Sequence, residues 1–173
     1  EGSPFATIYA GIAAASSGDS VIVASGEYTM DQNTLVSEGI ILKLEPGVTL
    51  KFDAEIGLYI EGELIANGDN SNQIIFTSNQ SNPAAGDWGP LVYSEGSTNA
   101  NFVDNDYIDG SILKYCIIEY GNGVKLYNHP FINNCTIRYN SDRAIRFYNS
   151  QSETKLITNC TIHNNAGGIR GGG

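Results

Sequence analysis

From residue 40 onward, apolar and polar positions alternate in short runs broken by glycine, proline, aspartate or asparagine. Val48, Leu50 and Phe52 alternate with Thr49 and Lys51, the period of two expected of a strand with one buried face. The same pattern predicts strands over 40–44, 48–52, 58–60, 63–66 and 74–77. Pro46-Gly47, Gly57, Gly62 and Gly68-Asp69 separate them. Residues 4–17 follow a different period. Phe5, Ile8, Ile12 and Ala15 fall on one face of a helix that Ser3 can cap and Pro4 can open. A buried strand over 20–24 and a turn over 25–28 follow. Residues 94–110 are rich in Asn, Ser, Gly and Asp and read as a loop projecting from the regular part of the chain.

Beyond residue 110 the pattern repeats. Tyr115-Cys116-Ile117-Ile118-Glu119-Tyr120-Gly121, Asn134-Cys135-Thr136-Ile137-Arg138-Tyr139-Asn140 and Asn159-Cys160-Thr161-Ile162-His163-Asn164-Asn165 align without gaps. The cysteines lie 19 (135 − 116) and 25 (160 − 135) residues apart. A second apolar motif follows each segment, around Val124, Ile145 and Ile169. A repeat of this length, built from short strands, predicts stacked coils of a β-solenoid. Within it, Cys116, Cys135 and Cys160 point inward with Ile118, Ile137 and Ile162, as a column of small apolar packing. Asn134 with Asn159, and Asn140 with Asn165, are expected to form amide ladders at the bends. Asn134, Asn159 and Asn79 open glycosylation sequons, of which Asn79-Gln80-Ser81 is the accessible candidate.

Several stretches carry a likeness to a known group. Residues 4–28, the run Gly47-Val48-Thr49-Leu50-Lys51-Phe52, the run from Gly62 to Gly68 and Ile74-Ile75-Phe76-Thr77-Ser78 resemble the early coils of pectin-lyase-like proteins. Asp87-Trp88-Gly89-Pro90-Leu91 and Ile117-Ile118-Glu119-Tyr120-Gly121 continue the resemblance. It implies an all-β, right-handed parallel β-helix with a short N-terminal helical cap, of the kind found in secreted and cell-surface bacterial and archaeal proteins. Lyases, hydrolases, adhesins and surface-layer proteins share that fold, so the resemblance implies an extracellular setting without choosing an activity.

Charge narrows the partners. Nine basic and nineteen acidic residues give a net charge of −10, which argues against nucleic acid. Residues 1–110 carry 2 − 16 = −14, whereas 111–173 carry 7 − 3 = +4. No apolar run approaches the length of a membrane span.

The repeat phase identifies one outward face. Lys125, Arg146 and Arg170 share a column, with Tyr127 and Tyr148 two residues beyond the first two. Stacked rings beside cations suit an acidic polysaccharide. Glu119, Arg138 and His163 form a neighbouring column. No catalytic residue is assigned. Lyases of the resembled group pair calcium-binding acids with a basic residue, and only Asp142 lies near the cations here. A glycoside hydrolase needs two carboxyl groups on one face, which Glu61 and Glu63 supply only if Gly62 leaves the chain straight. Asp104, Asp106 and Asp109 are a candidate calcium set, since a flexible loop of oxygen donors suits that ion.

The expected organisation is one β-helix domain over 1–173. It comprises a cap at 1–19, first coils at 20–93, a projecting loop at 94–110 and regular coils at 111–173. The last coil is expected to be continued by further coils or completed by another subunit. The leading functional expectation is a non-catalytic structural or adhesive module of a cell-surface protein or fibre. A polysaccharide-active enzyme or glycan-binding module, and a calcium-dependent assembly subunit, are the alternatives.

Overall fold

The computed structural model describes residues 5–148 and 157–171. Among these, short strands form a parallel β-helix of three-strand coils. The first coil holds β1 (Ser20–Val23), β2 (Gly26–Met30) and β3 (Thr34–Val36). The second holds β4 (Ile41–Leu44), β5 (Val48–Phe52) and β6 (Leu58–Ile60), and the third β7 (Glu63–Asn67), β8 (Ile74–Ser78) and β9 (Leu91–Tyr93). A hairpin of β10 (Asn101–Val103) and β11 (Asp106–Asp109) interrupts the succession. Then come β12 (Ile112–Lys114), β13 (Cys116–Glu119) and β14 (Val124–Leu126), followed by β15 (Phe131–Asn133), β16 (Thr136–Arg138) and β17 (Arg143–Phe147). The final coil holds β18 (Ile157–Thr158), β19 (Thr161–His163) and β20 (Gly167–Arg170). The first strands of all coils stack as sheet A, the second as sheet B and the third as sheet C.

Registers convert the sequence pattern into columns. Val23, Leu44, Ala66, Leu113, Ile132 and Ile157 run up the inside of sheet A. Tyr28, Leu50, Phe76, Ile118, Ile137 and Ile162 do so in sheet B. Thr34, Leu58, Leu91, Val124, Ile145 and Ile169 do so in sheet C. Nearly all of these side chains are buried until the last coil, and together they make one continuous core. From the third coil, Trp88 stacks on Phe52 of the second at 4.3 Å and 12° and donates from Nε1 to the Glu119 carbonyl of the fourth at 2.8 Å.

Three expectations need correction. The helix over 4–17 is shorter, α1 (Ile8–Ala14). Thr7 is extended at φ −140° and its Oγ1 accepts from Ala10 N at 3.1 Å, so the helix is capped there. Ser3 and Pro4 lie outside the described residues. The turn over 25–28 is instead the start of β2, which gains a partner in β5. The projecting loop is mostly the β10–β11 hairpin, folded back against the outside of sheet A. Phe102 and Tyr107 pack on Phe131 with ring centroids 5.2 and 5.7 Å away. Asp104 and Asn105 turn the hairpin with φ of 51° and 71°, the left-handed pair of a type I′ turn.

The bends explain the repeated segments. Tyr115, Asn134 and Asn159 all have φ near +50°, at 49°, 52° and 53°. Tyr120, Tyr139 and Asn164 mark the other end of sheet B with φ of 62°, 55° and 56°. Each sheet B strand of these coils is thus bracketed by two left-handed residues. Asparagine tolerates that conformation. Where tyrosine occupies it, Tyr120 and Tyr139 stack in parallel at 5.6 Å.

Candidate functional site

The third sheet builds the candidate face because its registers carry the repeat across coils. Lys125 pairs with Arg146, and Arg146 with Arg170, so the three cations form one outward column. Residues just beyond sheet C continue its backbone ladder: Tyr127 N donates to Tyr93 O and Tyr148 N to Leu126 O, each at 2.8 Å. Their rings therefore lie one above the other, 4.4 Å apart and only 6° from parallel. The Arg146 guanidinium sits 5.3 Å from the centre of the Tyr148 ring, and its Nη1 lies 3.9 Å from Asp142 Oδ2. Among the described residues Lys125 and Arg170 have no acidic partner. Like charges in adjacent strands repel, so this column favours a negatively charged neighbour.

The column Glu119, Arg138, His163 is organised differently. Arg138 Nε donates to Glu119 Oε2 at 2.7 Å, and Thr77 Oγ1 donates to Glu119 Oε1 at 3.1 Å. His163 follows in register and meets the Tyr139 ring edge-on at 5.7 Å. These groups satisfy one another between coils.

A cleft escapes the sequence reading. It has a volume of about 380 Å³ and is lined by Glu38, Glu61, Ser94, Glu95, Gly96 and Tyr127. The residues come from four coils, so no local motif announces it. The available signal was the repeat phase, since Glu61, Ser94 and Tyr127 each directly follow a sheet C strand. Glu63 does not join Glu61 there. Glu61 N and Gly62 N both donate to Val36 O, and the chain turns the corner into sheet A at Gly62. A side chain at Gly62 would collide with the Ile40 and Ser37 carbonyls, so the bend requires glycine. Glu63 faces the hairpin instead. Burial, and then the Asp109 carboxylate, push its pKa above the usual carboxylate value. Tyr107 is pushed up to about 12 by burial and then by Glu63 and Asp109.

The calcium set does not assemble. Asp104 is a turn residue, while Asp106 and Asp109 lie at the two ends of β11, separated by a register shift in the hairpin. Among the described residues no three acidic, His or Cys side chains come together to hold a metal ion.

The cysteines form a core column. Cys116, Cys135 and Cys160 Sγ approach the carbonyls of Ala66, Leu113 and Ile132 on the preceding coil at 3.5, 3.3 and 3.7 Å. Cys116 and Cys135 are buried, and Cys160 is half-buried at the last coil. Contact between the stacked thiols, together with burial, raises the pKa of Cys135 and Cys160. Thiols held neutral in this way are poor nucleophiles.

Asn140 and Asn165 are joined directly: Asn140 Nδ2 donates to Asn165 Oδ1 at 2.8 Å. Asn134 and Asn159 share a backbone conformation, but no hydrogen bond joins their side chains. Asn134 Nδ2 donates to Asn133 Oδ1 at 2.6 Å, and it is Asn133 that bridges to the next coil, at Thr158. The similarity is one of φ and not of amide contact. Asn79 is exposed, and its amide donates to Asp53 at 2.8 Å.

Comparison with known proteins bears on the fold. The family model described as pectate-lyase like beta helix domain matches residues 14–126, well over half of the chain. The chain is also similar to protein bark beetle of Drosophila melanogaster, 38% identical over 56 residues. That stretch is 32% of this chain and 2% of the fly protein. No solved structure matches significantly.

Proposed function

The chain belongs to the pectate-lyase-like β-helix family, and from that premise we propose a non-catalytic extracellular structural or adhesive module. One observation carries this reading. The outward column Glu119–Arg138 spends its charges on holding coils together, as a rigid repeat scaffold does: Arg138 Nε donates to Glu119 Oε2 at 2.7 Å. Thr77 Oγ1 ties a third coil into the same network by donating to Glu119 Oε1 at 3.1 Å.

A second reading is favoured by the Tyr127–Tyr148 stack beside Lys125, Arg146 and Arg170. Rings with adjacent cations suit contact with an acidic glycan, as a binding face or as part of a polysaccharide-active enzyme. A depolymerisation assay on acidic and neutral glycans separates the two. The structural reading predicts no chain shortening by the wild type. Turnover that Arg146→Ala abolishes would overturn it.

A further inference from the structure

Resting on the adhesive side of the proposed reading, we infer that the cleft between Glu61 and Tyr127 binds a glycan that carries free amines. A gap in one side-chain column builds this cleft. Ser94 N donates to Ile60 O at 2.9 Å, and Tyr127 N to Tyr93 O and Tyr148 N to Leu126 O at 2.8 Å. Glu61, Ser94, Tyr127 and Tyr148 therefore follow one another up successive coils at the edge of sheet C. Ser94 is too short to fill its place. Glu61 and Tyr127 stand two strand spacings apart, roughly 10 Å, with the small serine as the floor between them. Tyr148 stacks 4.4 Å away on the far side of the Tyr127 ring, which holds that ring as a flat wall of the cleft.

The chemistry of the lining selects the ligand. Glu38, Glu61 and Glu95 are exposed, and none pairs with a cation among the described residues. Nor do any three acidic side chains among those residues converge to hold a metal ion, so the charges are strung along the cleft. They suit an extended ligand with several cationic groups better than a single ion. A protonated amine beside the Tyr127 ring gains a cation–π contact and a carboxylate partner together. A peptide fits less well. Extended peptides gain affinity by adding a strand to a free edge, and here β6, β9 and β14 are already paired to one another. A sugar needs no such pairing, since its ring packs on an aromatic face while its charged groups fix the register. The cations Lys125 and Arg146 lie on the fourth and fifth coils, so the acidic cleft is a separate site from the cationic column.

Calorimetric titration of the whole chain with short glucosamine oligomers at mildly acidic pH tests this, against the same oligomers N-acetylated. The two probes share their rings and differ in charge. The free amines are expected to bind, and the acetylated form at least about tenfold more weakly, as expected when a charge-assisted contact is lost. The double variant Glu61→Gln, Glu95→Gln should lose about tenfold or more in affinity for the same reason. Ser94→Tyr should lose as much with every carboxylate in place, because it continues the ring stack into the gap. None of these three side chains belongs to the core, and circular dichroism checks that each variant is folded. No binding of either oligomer, equal binding of the acetylated form, or affinity unchanged in Ser94→Tyr would overturn the inference. So would a lysine-rich peptide that binds where the oligomer does not. Each of those results leaves the structural-module reading standing, which only shortening of a glycan contradicts.

Discussion

Replacing Trp88 with alanine should lower the stability of the chain by about 3–5 kcal/mol, the usual loss for a fully buried aromatic side chain. Trp88 is 1% exposed, and three separate coils depend on it. Its ring lies flat on Phe52 of the second coil, and Nε1 donates to Glu119 of the fourth. Gly121 presses so close that a Cβ there would overlap the indole. The cavity left by alanine cannot be filled by its neighbours, because their backbones are pinned in the parallel ladders. Trp88→Phe should cost less, since it keeps the stacking and loses the hydrogen bond. Urea denaturation followed by circular dichroism measures both. A Trp88→Ala loss below about 1 kcal/mol would mean that the indole does not sit between the coils.

The second large effect belongs to Asn140. It is 1% exposed, and every polar atom of its amide is used. Nδ2 shares its two hydrogens among Ile118 O, Arg138 O and Asn165 Oδ1, while Oδ1 accepts from Gly121 N at 2.9 Å. Alanine would leave the buried Gly121 N–H without its acceptor and the Ile118 and Arg138 carbonyls without this donor, while Asn165 Oδ1 keeps the Asn140 backbone N–H at 3.1 Å. Each buried group left unpaired costs about 1–3 kcal/mol, so a total loss of roughly 3 kcal/mol is expected. Asn140→Asp should be at least as damaging, because a carboxylate would face two carbonyl oxygens. Asn165→Ala should cost clearly less, since Asn165 is only half-buried on the last coil. Denaturant midpoints of the three variants check the order. If Asn165→Ala proved the more damaging, the ladder would not gain its stability from burial.

These two positions show how much was legible in the residues. Asn140 and Asn165 could be aligned by the repeat, and so could the cysteine column, because each coil reuses the same bend. The strands over 48–52 and 58–60 were readable from alternation, glycine and β-branched or aromatic content. Residues 25–28 were not, since Gly26 and Tyr28 form a strand only because β5 supplies a parallel partner. The hairpin was hidden for a related reason. Phe102 and Tyr107 look isolated in a polar stretch until Phe131 gives them a surface.

The candidate face was legible in part. Lys125, Arg146, Arg170, Tyr127 and Tyr148 follow from phase alone, and the ring stacking follows from parallel register. The acidic cleft beside Tyr127 was not, because Glu38, Glu61 and Glu95 belong to different coils with unequal connections. The candidate calcium loop reads in two ways. Asp104 and Asn105 suit a left-handed turn as well as they suit a cation, and the turn is what the hairpin needs.

Proposed as a non-catalytic structural or adhesive module, the chain is expected to leave acidic and neutral polysaccharides at their full length after prolonged incubation, as read by size-exclusion chromatography of the glycan. An unchanged length distribution agrees with that reading, whereas shortening of a glycan that is lost in Arg146→Ala would contradict it.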